Sequence, residues 1–493
     1  MSFFKLTLCL GAAVLAWAAP AHGAERESNA WPFRIDELDA DGHTTAWQGV
    51  GPLFFSHPWA EGGRVHGFRP FWVARENAAG QRTSATFLYP VFFARSYDTV
   101  RLWSILNLIN HREPVAGNAP VPEKEEARGF DVWPFYFSRD TGSPATSYHA
   151  FFPIAGEVHN RFYRDHVSWL LFPLYLKTEV NGTVARSYVW PFVRTASGGG
   201  VERFALWPLL GWRNVAGISR QSYYLWPFTY HKTVGLDTPT PTESGAVLPF
   251  YAYERSAEVK AKTFVWPFFG YVDRTAPYRY HEVRYFWPLF VQGSGDERER
   301  SRWAPFYTHS IYKGYEKQWV LWPLYKHDQW DETGLTRSTT RVLYFLYRSE
   351  TQRHAGQPDG PVAIKDHLWP LYSRWDNGAG RQQFQLLSPF GSFFPNNDDI
   401  KETWGPLLAI YRRDVQGPRE TRESYLFDLV TRRRSGDETE FHLGPLYGAV
   451  HSPAGDRIEV GRGLVTRQRD AGGAWRTLWF NFSAKSRTSS PSR

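Results

Sequence analysis

The sequence predicts an all-β chain, an antiparallel meander of roughly two dozen strands, with a closed up-and-down β-barrel as the leading architecture. Three observations carry that expectation. Short apolar runs rich in aromatic and β-branched residues recur along the chain, turn-forming residues follow each run, and nothing between them asks for a helical domain or a linker. A propeller or layered sheets, and a β-solenoid, are the alternatives.

In chain order, the first 23 residues read as a secretory signal peptide. They carry one positive charge at Lys5, an apolar run from Leu6 to Ala19, and small residues Ala21 and Gly23 placed for cleavage. The run is shorter than the roughly 20 residues that a spanning helix needs. Cys9 lacks the small residues that precede a lipid-modified cysteine. Removing the signal removes Cys9 and Met1, the only sulfur-bearing residues. Thiol catalysis, disulfides and cysteine metal sites are thereby excluded from the mature chain. Every later apolar stretch is broken by polar residues, so any membrane crossing would use strands.

Residues 24–483 read as a single β-repeat domain and 484–493 as a polar tail. Pro followed by Phe or Leu recurs seventeen times, preceded by Trp in nine of them, as in SYVWPF, RFALWPL, SYYLWPF and KTFVWPF. Through the middle of the chain the repeat proline falls at 134, 153, 173, 191, 208, 227, 249, 267, 288, 305 and 323, at spacings of 17 to 22. A meander absorbs such variation in its turns, whereas a solenoid needs near-constant coils. Later units drop the proline and keep the pattern, as in RVLYFLYRSE and ESYLFDLVTRRR.

Each unit reads as one apolar run followed by charges and a turn, hence one strand per unit, with the proline inside the strand. Proline has no N–H for a ladder. A repeated kink or bulge, with tryptophan packed across it, is the expectation that reconciles the two. Both strand faces then look apolar at the centre, which calls for cover on both sides, and the tryptophans are expected in a core.

These aromatic-proline repeats, with the stretch LLSPFGSFFPNNDDIKETWGPLLAIYRRD from Leu386 to Asp414, resemble a group of uncharacterised W-P-[FL] repeat proteins of Gram-negative bacterial envelopes. The resemblance covers most of the mature chain. It implies an envelope location and brings no activity and no residue with an assigned role.

A barrel fits the arithmetic of about 20 residues per strand and turn, since a spanning strand needs about 9 to 11. The expected function is an outer-membrane barrel with a structural or transport role, lipid-like molecules being the candidate cargo, and no catalysis. Outer-membrane lipids are the expected partner. The alternative is a soluble periplasmic or surface protein that binds a glycan or another envelope protein. The formal net charge of +8 is spread along the chain and reads as solvated turns and strand ends; export and the lack of a recognised motif set nucleic acid aside.

No catalytic, cofactor-binding or metal-ligating residue is assigned. HExxH, GxSxG and P-loop patterns are missing. Asp39 to Gly42 is half of a calcium loop without its distal acid and reads as a turn. Asn396, Asn397, Asp398 and Asp399 offer oxygen ligands, yet Asn and Asp after a proline are also what a tight turn needs, and a turn is the expectation.

Overall fold

The computed structural model describes residues 26–482 apart from 40, 60–61, 116–126, 358, 454 and 471–472. The expected signal peptide at 1–23 and the expected polar tail at 484–493 lie outside the described residues.

The chain is all-β and antiparallel, but the 45 strands among the described residues, from Arg26–Ala30 to Trp475–Trp479, far exceed two dozen. Each strand pairs with the next in sequence, for example Tyr175–Val180 with Thr183–Tyr188, so one sheet holds them all as a meander. The discrepancy has a local cause. The repeat proline does not sit inside a strand; it sits in the turn between two, so each unit is a hairpin and contributes two strands.

The unit around Pro191 shows the geometry. Tyr188 ends one strand, Val193 begins the next, and the Phe192 N–H donates to the Val189 carbonyl across the reversal at 2.9 Å. Proline occupies the third position of this turn after a cis Trp190–Pro191 peptide, the arrangement of a type VI turn. No ladder bond is asked of it. Its carbonyl is used instead: the next turn along the sheet donates to it, as Trp226 N–H does to Pro208 and Trp322 N–H to Pro305, both at 2.7 Å. The expected mid-strand kink is therefore a chain reversal.

The strands run from four residues, Tyr148–Phe151, to eight, Tyr325–Glu332. The sheet is not closed by hydrogen bonds; side chains, not a ladder, join its beginning to the region from Arg422 to Glu440, four strands short of its end.

The two faces differ. One row, in register from Ala205 through Gly211, Tyr223, Tyr230, Ala246, Ala252, Thr263 and Gly270 to Arg284 and Val291, carries mostly small side chains. Ala205, Ala246, Ala252, Thr263 and Val291 in it are buried. The row behind it, Phe204, Trp212, Ser222, His231, Gly245, Tyr253, Lys262 and Tyr271, is larger and more exposed.

Long side chains on the small-residue face reach past their neighbours. Arg300 meets Glu282 at 3.1 Å across the intervening strand Phe290–Gly295, and Arg161 meets Asp131 at 2.8 Å across two strands. Such reach fits a sheet that is concave on this side, and we call it the inner face. A compact apolar core is correspondingly small: Phe137, Tyr148, Ala150, Val158, Val167 and Trp169 form one cluster, and Phe55, Val65 and Val73 another.

The segment between Gln382–Leu386 and Tyr411–Gly417 holds a helix, Asp398–Leu408. The sequence reading missed it. Asn397 caps it, its side chain accepting from the Ile400 N–H, with Asp398 and Asp399 in the first turn where acids suit the helix dipole. The Asn–Asp cluster is therefore a helix start.

The close inner face makes a testable demand. A Cβ at Gly270 would lie 2.1 Å from the Lys262 carbonyl oxygen, whereas at Gly129 the nearest atom is Ser138 O at 3.6 Å. Gly270→Ala should lower the thermal midpoint, with a cost of about 1–3 kcal/mol, and Gly129→Ala should leave it unchanged or slightly raised; circular-dichroism melts compare them.

Candidate functional site: an apolar rim and an interior cleft

In a meander every second turn falls on the same edge of the sheet, and here the two edges are chemically unlike. One edge carries the aromatic-proline turns at 31–33, 69–71, 133–135, 152–154, 189–192, 225–228, 265–268 and 321–324, and their proline-free successors LYFL at 343–346 and LFDL at 426–429. The other carries NG at 181–182, GGG at 198–200, DE at 296–297, KG at 313–314, TG at 333–334, NGAGR at 377–381 and GD at 436–437. Phe162 and Tyr163 are the main apolar intrusion on this second edge.

The apolar edge is exposed. Phe33 is 77%, Phe250 73% and Phe135 62% accessible, and Trp133, Trp190, Trp226, Trp266 and Trp322 are near half. The core expected for the tryptophans is not where they lie, because a residue in a turn at the margin of a single sheet has no second layer over it. They pack along the rim instead. Phe152 stacks toward Phe172, Phe172 toward Trp190, Phe192 toward Trp207 and Trp207 toward Trp226, at centroid distances of 5.3 to 6.2 Å.

The second feature is a cavity of about 790 Å³ between the beginning of the sheet and the region from Lys365 to Ser435. The helix Asp398–Leu408 forms one wall and is held from both sides. On the N-terminal side, Asp399 accepts from Arg75 and from Arg95, the latter at 3.0 Å, and Glu402 accepts from Arg69 and lies 3.0 Å from His57. Trp404 Nε1 donates to the Tyr89 carbonyl. On the C-terminal side, Gln385 Nε2 donates to the Gly405 carbonyl and Lys365 Nζ to Asn396 Oδ1.

Beside the helix the beginning of the sheet meets the strands from Glu420–Tyr425 to Glu438–Leu443 directly. Arg422 bonds both Glu27 and Asp428 at 2.9 Å. Gln48 Nε2 donates to Asp428 Oδ2, Asn29 Nδ2 to the Asp428 carbonyl, and Trp31 Nε1 to the Phe427 carbonyl. Burial would raise the carboxyl of Glu402, but the His57 hydrogen bond and the Arg69 charge outweigh it and hold it at about 2. Asp428 is likewise lowered: burial opposes ionisation, and Arg422 with the Gln48 hydrogen bond overcomes it.

The cavity is lined by Trp47, Trp59, Trp375, Phe390 and Phe394 together with charged groups of both signs. His367 stands apart among them. It is 8% exposed, and neither ring nitrogen has a hydrogen-bond partner. Burial, with the Arg348 charge second, pushes its pKa down to about 4.

Of the sequence candidates, the oxygen-rich cluster is engaged in holding the helix: Asn396 by Lys365, Asn397 by its capping bond, Asp399 by two arginines. Asp39 closes its own turn, Oδ1 accepting from the N–H groups of Asp41 and His43. The groups that build the cleft, Arg69, Glu402, Asp428 and Arg422, were not singled out in the sequence, since Arg69 and Glu402 are 333 residues apart and Arg422 and Asp428 sit in an ordinary strand and the turn after it. No family model matches the chain, and no curated protein matches it.

Because His367 is neutral in the fold at pH values where an unfolded histidine binds a proton, the folded state holds fewer protons between pH 6.5 and 4. Stability therefore falls as pH falls through that window. Between pH 7 and 5 this group should remove about 2 kcal/mol, and His367→Gln should abolish that part of the slope; urea unfolding at the two pH values measures it.

Proposed function

We propose that this is a non-catalytic protein of the bacterial envelope that lies on a lipid surface by its aromatic rim and serves a structural role there. One observation carries the reading: along the whole sheet, turn after turn on one edge is apolar and exposed, while the turns of the other edge are polar. Trp, Tyr, Phe and Leu side chains of this kind gather at membrane interfaces, where apolar bodies enter the acyl boundary and polar edges stay at headgroup level.

The leader at 1–23 supports export, and the outer membrane is the proposed location.

A membrane-spanning closed barrel is not part of this proposal. The strands reach at most eight residues, short of the roughly 9 to 11 that a tilted spanning strand needs. Transport of lipid-like cargo is also set aside, because the inner face offers alanine, glycine, threonine and ion pairs and no continuous apolar track. The glycan reading keeps one supporting feature, the aromatic-lined cleft with its unpartnered His367.

Flotation of the mature chain with vesicles containing anionic lipid tests the proposal. Wild type should float with the vesicles. Trp190→Ser, Trp226→Ser and Trp266→Ser combined should lose more than about 100-fold in partitioning, since each half-exposed indole contributes about 2 kcal/mol on burial. Wild type that stays in the buffer fraction, or a triple variant that floats equally well, would overturn it.

A further inference from the structure

The hairpin formed by Ala155–Arg161 and Arg164–Leu170 carries a second, unrelated feature on its outer face. His159 and His166 are direct ladder partners, and their rings lie 4.8 Å apart. Glu157, two residues before His159, lies on the same face, with Oε2 3.4 Å from His166 Nε2. The alternation of the strands sends the intervening Val158 and the facing Val167 into the buried cluster on the inner side, which turns the three polar groups outward.

One ligand atom from each of Glu157, His159 and His166 lies within 4.8 Å of the other two. A tetrahedral ion with ligands about 2.0–2.1 Å away places them roughly 3.4 Å from one another, and the Glu157–His166 pair already stands at that separation. The His159 ligand atom lies within 4.8 Å of both, close enough to form the third corner of the triangle. Glu179 adds negative charge: it is the direct partner of His166 on the next strand.

We propose that Glu157, His159 and His166 bind a divalent transition-metal ion, with Zn²⁺ the best match. Two imidazoles and a carboxylate suit zinc, whose three-protein-ligand sites leave a fourth position for water or a further ligand. Hard cations such as Ca²⁺ and Mg²⁺ prefer all-oxygen shells and are poor matches. The ion would tie together the two strands on either side of Phe162 and Tyr163, the pair that interrupts the polar rim.

The alternative cluster, Asp39, Asp41 and His43, carries no such inference. Asp39 Oδ1 there closes a turn by accepting from two backbone N–H groups, and Asp41 and His43 are exposed on it, with one imidazole in place of two.

Isothermal titration of the untagged mature chain with Zn²⁺ tests the assignment, together with the visible spectrum of the wild-type chain loaded with Co²⁺. The expected result is one strong site and a Co²⁺ absorption of tetrahedral intensity, with His159→Gln and His166→Gln each weakening zinc binding at least tenfold and His43→Gln leaving it unchanged. Wild type that takes up no Zn²⁺, or binding that survives both hairpin variants and is lost in His43→Gln, would overturn it. The Co²⁺ spectrum needs no variant, so a misfolded substitution does not protect the proposal: an octahedral, weakly absorbing spectrum counts against it.

Discussion

The structure depends on one hydrogen-bonding constraint, that proline accepts but does not donate. Placed inside a sheet, each repeat proline would leave a neighbour's carbonyl without its donor, at about 1–3 kcal/mol. Placed third in a reversal, it gives up nothing, and its carbonyl becomes the acceptor for the following turn, as Pro208 does for Trp226. Hairpin and rim thus come from the same residue. The aromatic group before the proline and the apolar group after it are carried to the edge of the sheet by that reversal, and the edge acquires its character from the sequence of the turn alone.

The charged groups obey a different rule. Inside a concave single sheet there is no thick core to hold two distant stretches together, so the ends are fastened by ion pairs and hydrogen bonds. Arg69 is almost wholly buried between Phe55 and the helix, with Glu402 as its counter-charge, and Arg422 is shared between Glu27 and Asp428. Removing one partner of such a pair strands the other in a dry site. The arrangement gives specificity of fit where apolar contact area is scarce.

How much was legible follows from range. The all-β class and the repeat were readable, because apolar runs and turn residues are local signals. The strand number was misread by a factor of about two because WPF resembles a strand in composition; only the proline at the third turn position distinguishes a reversal from a kink. The helix was hidden for a related reason, since Asn397 followed by Asp398 and Asp399 serves a turn and a helix cap alike. The cleft was illegible, for nothing local marks Glu402 as the partner of Arg69. The histidine hairpin was within reach: in EVHNRFYRDH the two histidines stand symmetrically about Phe162 and Tyr163, a signal visible once that pair is taken as a reversal.

The seam between the sheet's beginning and the strands around Arg422 has a consequence for how such a chain changes in length. Within the meander each hairpin answers only to its neighbours, so one more or one fewer alters nothing locally. At the seam the fit is absolute: Arg422 finds Glu27, and the helix Asp398–Leu408 finds Arg69 and Arg75, only for a particular number of intervening strands. The seam therefore counts. It fixes how many strands can lie between the start of the ribbon and the strand that carries Arg422, by the same means that a clasp sets how many identical links a bracelet holds.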